Sequence, residues 1–480
     1  MLTTIIELLV VLLALYLGSR YGNLALGAIA GFGLAILVFD HGLKPGTPPT
    51  DIIYIIVAAV TCAGILQASG GMDWLIQIAE KIIRKHPQHI TFIAPLCTFF
   101  LTVLVGTGHV MYTLMPIVTD VAIDKGIRPE RPCAIASVAS MIAIVCSPIS
   151  AAVVAFSAIS ALNGFHISIP QIIAVTLPSC LIGVMVAAAW SYRRGLDLDK
   201  DPEFQEKIKD PEQRKYIYGT TSTILDKKID AKAKRAVYIF LAALAIIIIC
   251  AFLQQILPSY PTIQAVEGAK DVLLPTGKTV SPESLASAGI VMAGVTEKVP
   301  VTIKMYLVIQ IVLISAAALM IIFCGAKPKN AVAGNVWQSG MVAVVAIYGI
   351  AWLANTFFGA HMDTIKDMLG TMVAEHKWTI ALMFFIFSVL INSQGAVIVS
   401  LLPVAYALGI PGWVLLGVLP CVYGYFFIPN YPTDIATVNI DRTGTTKIGK
   451  FVFNHSFMIP GLISVAVSTI ICYALSSIFF

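Results

Sequence analysis

Along its 480 residues the chain alternates long apolar runs with short polar turns. Runs of about 17–25 residues, long enough to cross a bilayer, lie near 2–18, 23–40, 52–69, 133–160, 170–190, 235–257, 304–324, 337–359, 412–438 and 451–479. They predict about ten transmembrane helices. Two further apolar stretches, 91–122 and 378–409, are interrupted by polar, glycine-rich steps and are expected to enter and leave the membrane on one side, as re-entrant hairpins. The most hydrophilic segment, 191–235, begins SYRRGLDLDKDPEFQEKIKDPEQRK and carries twelve Lys/Arg and nine Asp/Glu. It reads as a partly helical cytoplasmic loop between a first membrane repeat, 1–190, and a second, 236–480. In these repeats 133–160 and 412–438 read as broken spans, and 258–303 reads as a periplasmic loop.

Charge orients this pattern. With 191–235 in the cytoplasm and each hairpin returning to its own side, 24 of the 31 basic residues fall inside, and the seven outside are all lysines. Both termini are then periplasmic. The first half starts out-to-in and the second in-to-out, with elements recurring in order: spans, short amphipathic helix, interrupted hairpin, broken span, final span. One amphipathic stripe is Leu75, Ile78, Ala79 and Ile82; the other is Met362, Ile365, Leu369 and Met372. Two halves of opposite orientation are characteristic of secondary transporters.

Composition narrows the class. The chain is 58% hydrophobic and only 12% charged, against about 25% charged for a soluble domain. That excludes a soluble fold, and no basic face with readout chemistry points to nucleic acid. The nine cysteines lie in or beside apolar stretches with no CxxC or Cys/His spacing, so neither a metal nor a cofactor is expected. The opening LTTIIELLVVLLALYLG lacks a basic n-region and reads as a first span, not a cleaved signal. GAIAG at 27–31 fits close helix packing.

The chemistry sits at four polar interruptions. The first hairpin holds Gly106, Thr107, Gly108 and His109; the second holds Asn392, Ser393, Gln394 and Gly395. The first broken span holds Ser147, Pro148 and Ser150; the second runs from Pro429 through Asn430 and Thr433 to Asp434. Thr107 and Ser147 are 40 residues apart, as are Ser393 and Thr433. Backbone leaves the helix at membrane depth only where protein or a water-filled cavity satisfies it, and each break exposes helix N-termini suited to a carboxylate. No Lys or Arg falls in the middle of a span, so recognition of an anion is expected to rest on helix ends, amides and hydroxyls, or on Arg128, Arg131, Arg442 and Lys447 at the cytoplasmic rim. SPIS alone is also a common kinked-helix pattern, and GTGH also fits packing glycines beside a core histidine. Asp434, a carboxylate inside an apolar span, is a candidate for cation or proton coupling or for a structural bond. Glu7 reads as interfacial. An enzyme is not expected: there is no GxSxG-like elbow and no intramembrane aspartate to pair with Asp434.

At these motifs the chain resembles the anaerobic C4-dicarboxylate transporter (Dcu) family, of the DcuA/DcuB type. The stretches are LQASGGMDWLIQIAEK, GTGHVMYTLMPI, GIRPERP, RGLDLDKDPEFQ, VAIYGIAWLANTFFGAHM, INSQGA and YPTDIATVNIDRTGTTKIGKFVFNHSF, in order over nearly the whole length. The resemblance implies a bacterial inner-membrane carrier exchanging fumarate, malate or aspartate for succinate during anaerobic respiration. It also implies an all-helical fold like that of the wider ion-transporter superfamily, with a mobile transport domain, alternating access and a homodimer. A Na⁺- or H⁺-driven carboxylate symporter of the same superfamily is the alternative.

Overall fold

The computed structural model describes residues 2–480 apart from 22–23, 49, 220–221, 254–255, 267–270, 274–278, 376, 430 and 450–453; at 2, 19, 51–52, 162, 273, 279, 362–363, 365–375 and 377 it describes the backbone alone. The first half runs α1 (Leu2–Tyr21), α2 (Ala25–Ala35), α3 (Thr50–Ala68), α4 (Gly71–Lys85), α5 (Ile90–Val105), α6 (Met111–Asp124), α7 (Glu130–Ile142), α8 (Ala151–Leu162) and α9 (Ile169–Tyr192). Two short helices, α10 (Pro202–Lys207) and α11 (Pro211–Tyr218), punctuate the charged loop before α12 (Ala231–Phe252). Then come β1 (Ser259–Ala265), β2 (Val272–Leu273), β3 (Thr279–Val280), α13 (Pro282–Ser287) and β4 (Thr296–Thr302). The second half continues with α14 (Met305–Cys324), α15 (Pro328–Ala333), α16 (Asn335–Glu375), α17 (Ile380–Ile391), α18 (Gln394–Ala407), α19 (Gly412–Gly417), α20 (Pro432–Ile440) and α21 (Met458–Phe479).

Among the described residues seven stretches are long and apolar enough to cross a membrane: Pro87–Val105, Glu130–Ala161, Ile169–Tyr192, Ala231–Phe252, Met305–Cys324, Asn335–His361 and Met458–Phe479. An eighth arises if α3 and α4, bent by 72°, form one broken span. This is a multi-pass, mostly helical membrane protein. The run at 2–18 lies in α1, 20 residues long, while the run at 23–40, α17 and α18 form apolar helices of 10–17 residues.

Two expectations are corrected, and a third gains its detail. The run 412–438, read as a broken span, holds a long irregular stretch: α19 passes into a 3-10 turn at Leu419–Val422, and regular helix resumes only at Pro432. Pro420 and Pro429 remove backbone donors, and Gly424 runs so close to α17 that a Cβ there would collide with Ser388 and stand 2.6 Å from the Phe385 carbonyl. The all-helical expectation fails at 258–303, where β1 and β4 pair antiparallel from Ser259↔Thr302 to Ala265↔Thr296, with a smaller β2–β3 ribbon between them. SYPTIQA and TEKVPVT carry the Thr, Val and Ile that favour extended backbone. The second amphipathic segment, Met362 to Met372, is no separate helix but the continuation of α16 over 41 residues, whereas α4 turns sharply away from α3.

Close approaches set the packing. A Cβ at Gly27 on α2 would collide with the Val345 carbonyl of α16, and one at Gly349 with the Gly27 carbonyl, while Gly31 faces open space. Gly183 lets α9 meet α21, with a built Cβ 2.6 Å from the Ser464 carbonyl. On α4 the buried face is Met72, Leu75, Ile76, Ala79 and Ile83, leaving Ile78 and Ile82 exposed. The described cysteines are all free.

Candidate functional site

The two hairpin interruptions break in the same way. α5 ends at Gly106, whose φ of 80° is left-handed and whose N–H donates to the Thr102 carbonyl at 2.8 Å. Thr107 is extended, and its hydroxyl accepts the His109 N–H at 3.4 Å. α17 ends at Asn392, the one described non-glycine residue with positive φ, at 55°; its N–H donates to the Ser388 carbonyl at 3.1 Å. Ser393 is extended, and its hydroxyl accepts the Ala396 N–H at 3.4 Å to cap α18. A left-handed residue followed by an extended hydroxyl residue ends one helix and starts the next at a sharp angle.

The broken spans use related devices. After α7 a 3-10 turn at Ala143–Cys146 leads to extended Ser147; Ser150 then caps α8, accepting the Val153 N–H at 3.2 Å. In the second half Pro432 opens α20 behind extended Tyr431.

Both tips reach one cavity of about 660 Å³. Gly106, Thr107 and His109 line it from one side, and Asn392, Ser393 and Gln394 from the other. Ala151 and Ala152 at the start of α8, and Tyr431 and Pro432 at the start of α20, also line it. Helix beginnings from all four interrupted elements therefore converge on one space, each with N–H groups that lack helical partners. Gln394 spends its amide nitrogen on the Met141 carbonyl at 2.8 Å and the Tyr425 hydroxyl at 3.2 Å, tying α18 to α7. Tyr425 packs against Tyr431 with the rings tilted by 37° and their centroids 4.5 Å apart.

The remaining candidates stand behind this lining. Ser147, Ser150, Thr433 and Asp434 are buried and outside it. Asp434 lies in the first turn of α20 and accepts the Ser137 hydroxyl of α7 at 2.8 Å. Gly108 is a packing position, where a Cβ would collide with Met141. Asn430 lies outside the described residues.

The rim arginines are committed elsewhere, and none lines the cavity. Arg128 pairs with Glu130 at 2.8 Å and Asp201 at 2.5 Å, Arg131 with Asp197 at 2.7 Å, and Arg442 with Asp120. The Arg128–Asp201 and Arg131–Asp197 pairs fasten the 191–235 loop to α7 and the turn before it, and the Arg442–Asp120 pair joins the segment after α20 to α6. Lys447 is likewise outside the lining.

Sequence reasoning missed four groups. Arg20, at the end of α1, lines the cavity together with Asn335, Gln338 and Ser339 from the start of α16. Glu7 is buried within the protein: it is 2% exposed and joins His41 at 3.1 Å and His361. Tyr112 and Tyr425 line the cavity and Tyr423 is buried behind it. VYGYFF just ahead of a helix break was the available signal for the last of these.

Apolar spans around a polar cavity, built where interrupted helices meet, define the class as a membrane transporter. The chain belongs to the DcuA/DcuB family, whose model, described as an anaerobic C4-dicarboxylate membrane transporter, matches residues 3–480; it is a transporter, not an enzyme. It is 42% identical over 470 residues to the anaerobic C4-dicarboxylate transporter DcuB of Escherichia coli O6:H1, covering 97% of this chain and 96% of that one. The C4-dicarboxylate transporter DcuA of Wolinella succinogenes is 34% identical over 474 residues, covering 99% of each. DcuA of Escherichia coli K12 is 34% identical over 476 residues, covering 98% of this chain and 99% of that one. The solved MtrF of Neisseria gonorrhoeae, described with a class of antimetabolite efflux pumps, aligns over 99% of this chain and 94% of its own at 14% identity and TM-score 0.48.

Proposed function

We propose that the protein exchanges C4-dicarboxylates by alternating access, taking up fumarate, malate or aspartate and releasing succinate across a bacterial inner membrane. The observation that carries this is the convergence of two hairpin tips with matching backbone breaks on one cavity of about 660 Å³. That size suits a small-molecule site, and a four-carbon dianion leaves room for water. In this reading Thr107, Asn392 and Ser393 donate to the two carboxylates, assisted by free N–H groups at the helix starts. Ser147, Ser150 and Thr433 hold those starts in place from behind.

The same reading gives about ten crossings and two re-entrant hairpins in two inverted repeats, with both termini periplasmic. The equal spacing of Thr107 to Ser147 and Ser393 to Thr433, 40 residues each, supports the repeat. Arg20, Asn335 and Gln338 lie at helix ends on the face that carries 191–235, which supports a cavity open to the cytoplasm. The transport unit slides against the remainder of the protein within a homodimer. A second reading, Na⁺- or H⁺-driven symport, is favoured by buried Asp434 beside Ser137, since an intramembrane carboxylate is a natural coupling site.

The test is counterflow in proteoliposomes loaded with succinate and given labelled fumarate outside. Exchange predicts faster uptake than into empty vesicles, with no imposed gradient. Uptake indifferent to internal succinate but strictly dependent on a Na⁺ or proton gradient would replace exchange with symport.

A further inference from the structure

We infer that Arg20 is a carboxylate-capture residue at the cavity mouth: with Asn335, Gln338 and Ser339 it forms an outer station for one carboxylate of the dianion before that dianion reaches the hairpin tips. The inference deepens the proposed function and rests on reading this cavity as the dicarboxylate path.

Three observations carry it. Arg20 is the one Lys, Arg, Asp or Glu among the residues lining the cavity, so it dominates the field in a space otherwise walled by neutral groups. It makes no ion pair with a described residue, while Arg84, Arg128, Arg131, Arg194 and Arg442 each have an acidic partner. The same cavity is lined by Asn335, Gln338 and Ser339 from the start of α16, whose amides and hydroxyl can supply neutral hydrogen bonds to a carboxylate that a guanidinium has drawn in.

A dianion crossing from bulk water to neutral donors loses hydration before it gains bonds. A cation at the mouth lowers that barrier and raises the local dianion concentration, an effect weakened by salt. A mouth station of this kind is exposed, as Arg20 is, and binds loosely enough to pass the ligand on in either direction.

The experiment uses the full chain purified in detergent, with succinate as the probe, followed by succinate–fumarate exchange in phosphatidylcholine vesicles with and without anionic lipid. Arg20→Gln is expected to raise the succinate Kd about three- to tenfold, the range of a wet guanidinium–carboxylate contact, and to flatten its dependence on ionic strength. Arg20→Lys is expected to regain most of that dependence. Thr107→Ala is expected to weaken binding while keeping the wild-type salt slope. Should Arg20→Gln elute aggregated, Gln338→Glu takes its place, and its added charge in the same wall is expected to raise Kd. Wild-type protein that neither binds nor exchanges succinate overturns the proposed function itself. Normal wild-type and Thr107→Ala behaviour, with an unchanged Kd and salt slope in Arg20→Gln or an unchanged Kd in Gln338→Glu, overturns the role of Arg20. Wild-type binding in detergent with an exchange defect only in anionic vesicles also overturns it, making Arg20 a headgroup anchor.

Discussion

Asn392 separates backbone from side-chain roles, because its left-handed φ of 55° is a demand that two substitutions meet differently. Asn392→Gly keeps that conformation without a Cβ penalty and removes only the carboxamide from the cavity. Asn392→Ala removes the same carboxamide and forces an L side chain into the left-handed region, at about 1–2 kcal/mol. In the folded-to-unfolded ratio this is a factor of about 5–30, against about 0.5–1 kcal/mol for the extra chain entropy of glycine. The N–H bond to the Ser388 carbonyl at 3.1 Å survives both changes. A charge-assisted bond from the amide to a carboxylate contributes about 1.5–3 kcal/mol, so both variants are expected to raise the KM for exchange at least tenfold. Denaturant midpoints in detergent and counterflow in proteoliposomes read the two effects separately. The expected pattern is equal loss of affinity in both, with the larger loss of stability in Asn392→Ala. A KM for Asn392→Gly within twofold of wild type refutes the amide contact, and equal midpoints for the two variants refute the backbone argument.

The other predictions concern groups around the site. Glu7→Ala removes the buried carboxylate between His41 and His361 and is expected to cost about 2–4 kcal/mol, seen as a lower thermal midpoint in detergent. Glu130→Ala deprives Arg128, Arg194 and Ser456 of their shared acceptor; trypsin is then expected to cut within 191–235 at a concentration that leaves the wild-type loop intact. Gly183→Leu drives a side chain into Ser464 and Ser468 and is expected to reduce folded yield severely, measured by size-exclusion chromatography. Asp434→Asn can keep a bond to Ser137 while removing the charge, so under the symport reading uptake loses its Na⁺ or pH dependence while the folded yield is retained.

The site was legible where its signal is local. Gly106–Thr107 and Asn392–Ser393 interrupt apolar runs, and a polar break in such a run has few physical explanations beyond a cavity. Both tips line one cavity; in the sequence they are paired by the recurring order of elements in the two halves, by the equal offsets to their broken spans and by the family resemblance. What depended on tertiary assembly was not legible. Arg20 follows an apolar run like any flanking positive charge, and its place at a cavity requires α1 and α16 to converge there. Glu7 looks interfacial until His41 and His361, hundreds of residues apart, fold onto it. Arg128, Arg131 and Arg442 looked available to a substrate because their acids lie on other segments, at Asp201, Asp197 and Asp120. The β1–β4 pair was missed because two short polar strands separated by thirty residues carry little periodicity.

Substrate protection decides whether the two hairpin tips form the dicarboxylate site. Ser393→Cys places a thiol in the cavity wall, and the described native cysteines, mostly buried, give the wild-type background. The rate of modification by a membrane-impermeant methanethiosulfonate is measured with and without succinate, fumarate and the monocarboxylate butyrate. Succinate and fumarate are expected to slow modification at concentrations near their KM, and butyrate to leave it unchanged. Equal rates at saturating succinate, in a protein that still exchanges it, would place the dicarboxylate site elsewhere.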